Sequence, residues 1–319
     1  MEVVSPVANK GYSHAPVEIV TTPPLPVHSV PSRVRRRHIL PGFHLTLGFA
    51  VFYLSALVLL PLLALVLRTV TPTTEYPSVQ EVVGHVWKVV TDTRSLDSYK
   101  LSFGLSFAAA LLNGVFGLIA AWALVRYKFP GRKIVDAMID LPFAMPTAVA
   151  GLALSRVFST DGGYIGQLLY NWFGWQITYT PWGILVAMTF IGFPFVVRTL
   201  QPVIGELSIE VEEAAACLGA NRWQTFRRII FPALLPALIT GIMLALGRGV
   251  GEYGSIVFIS NMIPYQTEIT PQLIILKLEA DSDYVGAAGL GLVMLLMSFA
   301  IVATVNTAQY FLARGRRSA

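Results

Sequence analysis

Charge is scarce in this chain of 319 residues. Only 13% are Asp, Glu, Lys or Arg, against roughly 25% in an ordinary soluble domain. Hydrophobic residues make up 55%, and the mean hydropathy is +0.64. A soluble fold cannot hide that much apolar surface, which excludes an ordinary soluble enzyme, a disordered chain and a nucleic-acid binder. Cysteine is nearly absent: Cys217 alone permits neither an intrachain disulfide nor a thiolate metal cluster. Histidine stops at His85, so nothing beyond it supplies an imidazole for catalysis or metal binding. A G-x4-G-K-[ST] phosphate loop is missing, as is any Gly-Lys pair, so ATP chemistry would have to reside in another chain.

What the chain does have is long apolar runs. A hydrocarbon core of ~30 Å needs about 20 residues at 1.5 Å each. Five runs meet that length cleanly, at 45–67, 101–125, 177–197, 229–247 and 284–313. A sixth, at 134–158, carries Asp136 and Asp140 near its start and Arg156 near its end, and Pro142 and Pro146 interrupt it. The fifth is expected to continue to about Ser260 past Arg248 and Glu252. The fold class read from this pattern is all-α, a polytopic membrane protein with six transmembrane helices.

Lys and Arg set the orientation. With a cytoplasmic N-terminus, the far side holds six cations: Arg68, Lys88, Arg94, Lys100, Arg156 and Lys277. Arg248 lies within a span, and the other sixteen of the 23 are cytoplasmic. Both termini are therefore expected in the cytoplasm, and the net charge of +5 is a topology signal rather than a nucleic-acid site.

Residues 1–42 differ in kind. Pro6, Pro16, Pro23, Pro24, Pro26, Pro31 and Pro41 punctuate them, apolar periodicity is lacking, and they end near the basic run Arg33-Val34-Arg35-Arg36-Arg37. Such a segment reads as a disordered cytoplasmic tail. The weaker alternative is an organellar transit peptide, since arginine enters only at its end. The six-helix membrane domain is then 43–313, and 314–319 form a cytoplasmic C-terminus. On the far side, Val82 to Val90 make an amphipathic stretch expected along the membrane surface. Asp161-Gly162-Gly163 reads as a turn leading into an interfacial segment with Trp172, Phe173 and Trp175.

The cytoplasmic connection 198–232 carries the most information. Leu207, Val211, Ala214 and Leu218 recur at helical spacing. Gly219 is placed to end that helix. Asn221 and Gln224 then form a capping box for a second helix running toward Pro232. From Glu213 the sequence reads Glu-Ala-Ala-Ala-Cys-Leu-Gly, nine residues, then Ile229-Ile230-Phe231-Pro232. This resembles the EAA motif of ABC-importer permeases, E-A-A-x3-G-x9-I-x-L-P, with Phe231 in place of Leu. The resemblance implies that Glu213, Ala214, Ala215 and Gly219 form a helix–turn docked in a cleft of a cytoplasmic ATPase. The bland alternative is an interfacial helix capped at Gly219.

The stretches 141–151 and 245–255, with Asn261-Met262 and Thr267-Glu268-Ile269, are similar to the sulfate/molybdate branch of those permeases. Within it they are closer to the CysT-type than to the CysW-type subunit of the sulfate/thiosulfate permease. The resemblance, covering about 43–312, implies a type I ABC-importer fold in the bacterial inner membrane. It also implies two copies of an ABC ATPase holding ATP and Mg, a second CysW-like permease subunit and a periplasmic sulfate-binding protein. No cofactor is expected in this chain itself.

Arg248 and Glu252 are four residues apart, hence on one helical face. Charge at that depth is costly, so two readings stand: a structural ion pair, or a gate and anion contact in the outer third of the membrane. Tyr253, Pro142, Pro146 and Thr147 are the further candidates for the pathway. Importing a divalent anion against a negative interior costs about 4.6 kcal/mol per 100 mV, which favours an ATP-driven route. A molybdate/tungstate permease is the alternative within transporters. An ATP-independent secondary anion carrier would need an inverted repeat, and none is apparent.

Overall fold

The computed structural model describes residues 43–317; the tail expected at 1–42 lies outside the described residues. Two units are distinguished, Met1–Ser55 and Ala56–Ala319. Described residues of the first form the opening half of helix α1 (Phe43–Arg68), where the Phe49 and Tyr53 rings stack at 6.3 Å.

The described residues of the second unit form helices joined by turns and loops, with no strand among them. Helix α2 (Val79–Thr91) is followed by α3 (Thr93–Arg126). Three short helices come next, α4 (Arg132–Ile139), α5 (Leu141–Ala144) and α6 (Thr147–Phe158). Then come α7 (Tyr164–Phe173), α8 (Pro181–Glu206), α9 (Ile209–Cys217) and α10 (Arg222–Thr225). A π turn, Phe226–Ile230, joins α10 to α11 (Phe231–Val250). The chain ends with α12 (Gly254–Ser260), α13 (Thr270–Glu279) and α14 (Tyr284–Arg317).

The core is the packing of α3, α8 and α11. Lipid tails are as apolar as leucine, so membrane helices associate through close fit rather than water exclusion. α3 accordingly buries a stripe of small residues, among them Ser102, Ser106, Ala109, Ala110, Gly114, Gly117 and Ala121. A Cβ at Gly117 would lie 2.8 Å from Val196 of α8, and one at Gly114 2.7 Å from Ile242 of α11. Leu200 and Ile204 of α8 and Leu234 and Leu238 of α11 complete this core.

Among the described residues, five helices are long and apolar enough to cross a membrane: α1, α3, α8, the Arg222–Val250 helix and α14. The expected span at 134–158 differs from a single helix. It is broken at Asp140 and again at Met145–Pro146, where the backbone is extended. Proline has no N–H to offer and forces the preceding residue out of helical geometry. α6, with 12 residues, is about 18 Å long. This segment is therefore jointed rather than rod-like. A second correction concerns the fifth span, which does not run on to Ser260. It stops at Val250 and restarts as α12 at Gly254.

On the expected far side, α2 starts at a Ser78–Glu81 capping box. Instead of only skimming a surface, it buries Val82 and Val89, and Val86 fills the place a Cβ at Gly289 of α14 would take. Burial, with the carboxylates of Glu75 and Asp283, raises the Tyr76 phenol above its ordinary range. The Tyr76 hydroxyl lies 3.2 Å from His85 Nδ1, and His85 Nε2 lies 3.0 Å from Asp283, tying α2 to the start of α14. The turn expected at Asp161-Gly162-Gly163 is present, with Gly162 at φ +87°. Trp172 and Trp175 are exposed, as interfacial aromatics should be.

Candidate coupling loop and translocation site

The loop is built almost entirely by local rules. α8 runs past Arg198 to Glu206 and contains Pro202, so the break begins at Leu207, later than expected. α9 ends in a Schellman arrangement. Gly219, at φ +82°, donates to Ala216 O at 2.9 Å, and Ala220 donates to Ala215 O at 3.0 Å. Only a residue tolerant of left-handed backbone satisfies those carbonyls. The Asn221–Gln224 capping box follows, with reciprocal bonds of 2.9 and 2.8 Å.

The apolar spacing of the loop points outward, contrary to a packed amphipathic face. Leu218 is 89% and Ile209 62% exposed, and Val211 and Trp223 are exposed too. Glu213 and Ala214 are exposed beside them, and only Ala215 of the motif is buried. An open groove of about 710 Å³ lies along this surface, lined by residues including Trp122, Tyr127, Ile209, Glu213 and Arg222. Leu118, Ile119 and Ala123 of α3 line the same groove, so its apolar wall continues from the loop onto a membrane-spanning helix.

Below the loop, Pro232 has no N–H for the Arg228 carbonyl, and the helix widens into the π turn, where Phe231 N–H reaches Phe226 O. Phe231, the departure from the motif, joins an aromatic cluster: its ring lies 6.0 Å from Phe226, which also contacts Trp223 and Trp122. The helix is otherwise continuous over 29 residues from Arg222 to Val250, about 43 Å.

At its far end Arg248 Nη1 meets Glu252 Oε2 at 2.6 Å. Helical periodicity does not explain the pairing, since α11 has already ended. Glu252 is 1% exposed, and its other oxygen accepts from Ser255 N and Ser255 Oγ, both at 3.0 Å. The carboxylate thus caps α12 and neutralises Arg248 at once. Arg248 keeps 34% of its side chain exposed. A Cβ at Gly254 would overlap Thr147 Oγ1, and one at Gly151 the Ser255 carbonyl. These contacts bring the break at Pro146–Thr147 against the break at 251–253 that contains Glu252 and Tyr253. Pro142 belongs elsewhere, to α5, where Phe143 packs on Phe195 of α8 at 5.0 Å.

Sequence reasoning missed what holds the jointed segment. Arg198 of α8 grips Asp140 through Nε and Nη2 (2.8 and 2.5 Å) and Asp136 through Nη1 (2.8 Å). Gln201 bridges Asp136 as well, at 3.0 Å. The two carboxylates at the start of that segment were the signal. Arg94 likewise makes a two-pronged pair with buried Glu268, 2.7 Å on each arm.

The model of the family described as "Binding-protein-dependent transport system inner membrane component" matches residues 113–318. The sulfate transport system permease protein CysT of Escherichia coli is 44% identical over 276 residues, covering 86% of this chain and 95% of that protein. Its namesake from Synechococcus elongatus is 47% identical over 266 residues, covering 83% and 91%. A probable sulfate permease cysT of Nephroselmis olivacea is 49% identical over 232 residues, 73% of this chain and 81% of that one. Among solved structures, a bacterial ABC transporter that imports the acidic polysaccharide alginate superposes with a TM-score of 0.66 at 16% identity. It covers 83% of this chain and 93% of its own.

Proposed function

Because the chain belongs to the family of binding-protein-dependent transport system inner membrane components, we propose that it is the permease subunit of an importer of sulfate or thiosulfate. The observation that carries the cargo is the 44–47% identity to CysT proteins across most of both chains. The chain is a multi-pass inner-membrane subunit of an ABC importer, and hydrolysis of ATP belongs to a separate subunit.

In this reading two ATPase copies, each holding ATP and Mg, engage the exposed face of α9 on this chain and on a CysW-like second permease. A periplasmic binding protein delivers the anion. Glu213 and Ala214 face the ATPase, and the turn at Gly219 redirects the chain into the long helix. That helix acts as a lever from the cytoplasm to Arg248, and the π turn and Pro236 give it places to bend. Arg248 supplies the positive field for a divalent anion. Glu252, fixed by Ser255, keeps that field weak enough for release.

The test is labelled sulfate uptake in cells lacking their own sulfate permease, with and without the partner subunits. The expected result is uptake that requires the ATPase and a distinct second permease and is competed by thiosulfate. Molybdate uptake by a homodimer of this chain would support the alternative cargo.

A further inference from the structure

Adjacent acidic residues on α9 differ in what they face. Glu213 is exposed, whereas Glu212 turns inward to Arg126, the last residue of α3, with Oε1 2.8 Å from Nη2. Arg126 is only 17% exposed. The same Nη2 donates to the carbonyl of Leu207, where α8 ends, at 3.2 Å. The guanidinium also lies 5.3 Å over the Trp122 ring, and Trp122 packs edge-on against Phe226 of the π turn. One side chain therefore touches the ends of α3, α8 and α9 and leans on the aromatic cluster beneath the lever.

The contact is close but incompletely directed. Arg126 Nε is buried with no hydrogen-bond partner, and Glu212 Oε1 accepts no aligned hydrogen bond despite its distance. Guanidinium and carboxylate are matched for two parallel bonds, and here the second arm of the guanidinium is unused. An unfinished charge contact between two helices is a place where their relative position carries energy.

We propose that Arg126 is a positioning residue that passes the motion of α9 into α3, alongside the lever formed by the Arg222–Val250 helix. This rests on the reading of α9 as the element that meets an ATPase. Because α3 packs on both α8 and α11, a push delivered at Arg126 and at the turn after Gly219 moves the core as a set rather than bending one helix.

The experiment uses the full complex reconstituted in vesicles, with ATP hydrolysis and sulfate uptake measured together. For Arg126→Gln and for Glu212→Gln, assembled complex should remain and hydrolysis should continue. Sulfate moved per ATP should fall by roughly five-fold, and Arg126→Lys should recover part of it. An unchanged ratio in both variants overturns the proposal. So does a parallel fall of complex abundance, hydrolysis and uptake, which would make the pair a plain structural tie. If the unmodified chain recruits no ATPase, the importer reading fails instead, and that outcome is visible before any variant is made.

Discussion

The two interruptions that bracket the long helix differ in what holds them. At the cytoplasmic end, every bond of the turn from Cys217 to Gln224 spans five residues or fewer, and its apolar side chains are exposed. At the outer end, the Glu252 carboxylate makes equally short-range bonds, to Arg248 and Ser255, but it is buried, and the break packs against α6, about a hundred residues away in sequence. The first is a local structure that projects to meet something. The second is buried and leans on a helix distant in sequence. In the proposed mechanism the first has to keep its shape while exposed to a partner, whereas the second responds to the helices packed on it.

Substitutions should separate the two regions. The largest effect is expected for Glu252→Ala, which removes the α12 cap and leaves Arg248 without its counter-ion. Breaking a buried pair costs about 3–5 kcal/mol, and the partial exposure of Arg248 puts the loss at the low end. Complex abundance in membranes should fall sharply, and normal abundance would show that the break is not held by this carboxylate. Next comes Gly151→Ala, whose methyl group has backbone to displace, at about 1–3 kcal/mol; a lowered melting temperature in detergent checks it.

Gly219→Val places a β-branched residue at positive φ, a strain of about 1–3 kcal/mol, although nothing crowds the site. The spans should still insert, but ATPase binding and uptake should be lost. Gly219→Asn, which tolerates that backbone, should retain most of both. Equal loss in the two variants would mean that contact with the partner, rather than backbone conformation, requires glycine. The smallest effect is expected for Asn221→Ala, about 1 kcal/mol for the lost cap, seen as faster proteolysis within the loop and little change in the spans.

The same contrast explains what was legible in the sequence. Gly219, Asn221 and Gln224 announced their roles because caps obey short-range rules. Pro142 and Pro146 announced an interruption, but not that Arg198 would clamp Asp136 and Asp140 beside it. Nothing local marked the stop at Val250: the region lacks proline, and its glycines are common in membrane helices. The outward turn of Leu218 was equally hidden, since spacing gives a face but not its direction. His85 with Asp283 and Arg94 with Glu268 are 198 and 174 residues apart, beyond any periodicity. Six spans were read from composition; their number is unaltered if the jointed segment crosses, but its form was visible only in three dimensions.

In the proposed mechanism Arg248 serves the anion, while Glu252 serves the fold and tempers the charge. The most direct measurement is labelled sulfate uptake by the double variant Arg248→Gln, Glu252→Gln, normalised to complex abundance. Two neutral amides remove the stranded charge and can still hydrogen-bond, so abundance should recover relative to either single variant while uptake stays low. Recovery of uptake together with abundance would rule out an anion role for Arg248 and reduce the pair to a structural tie.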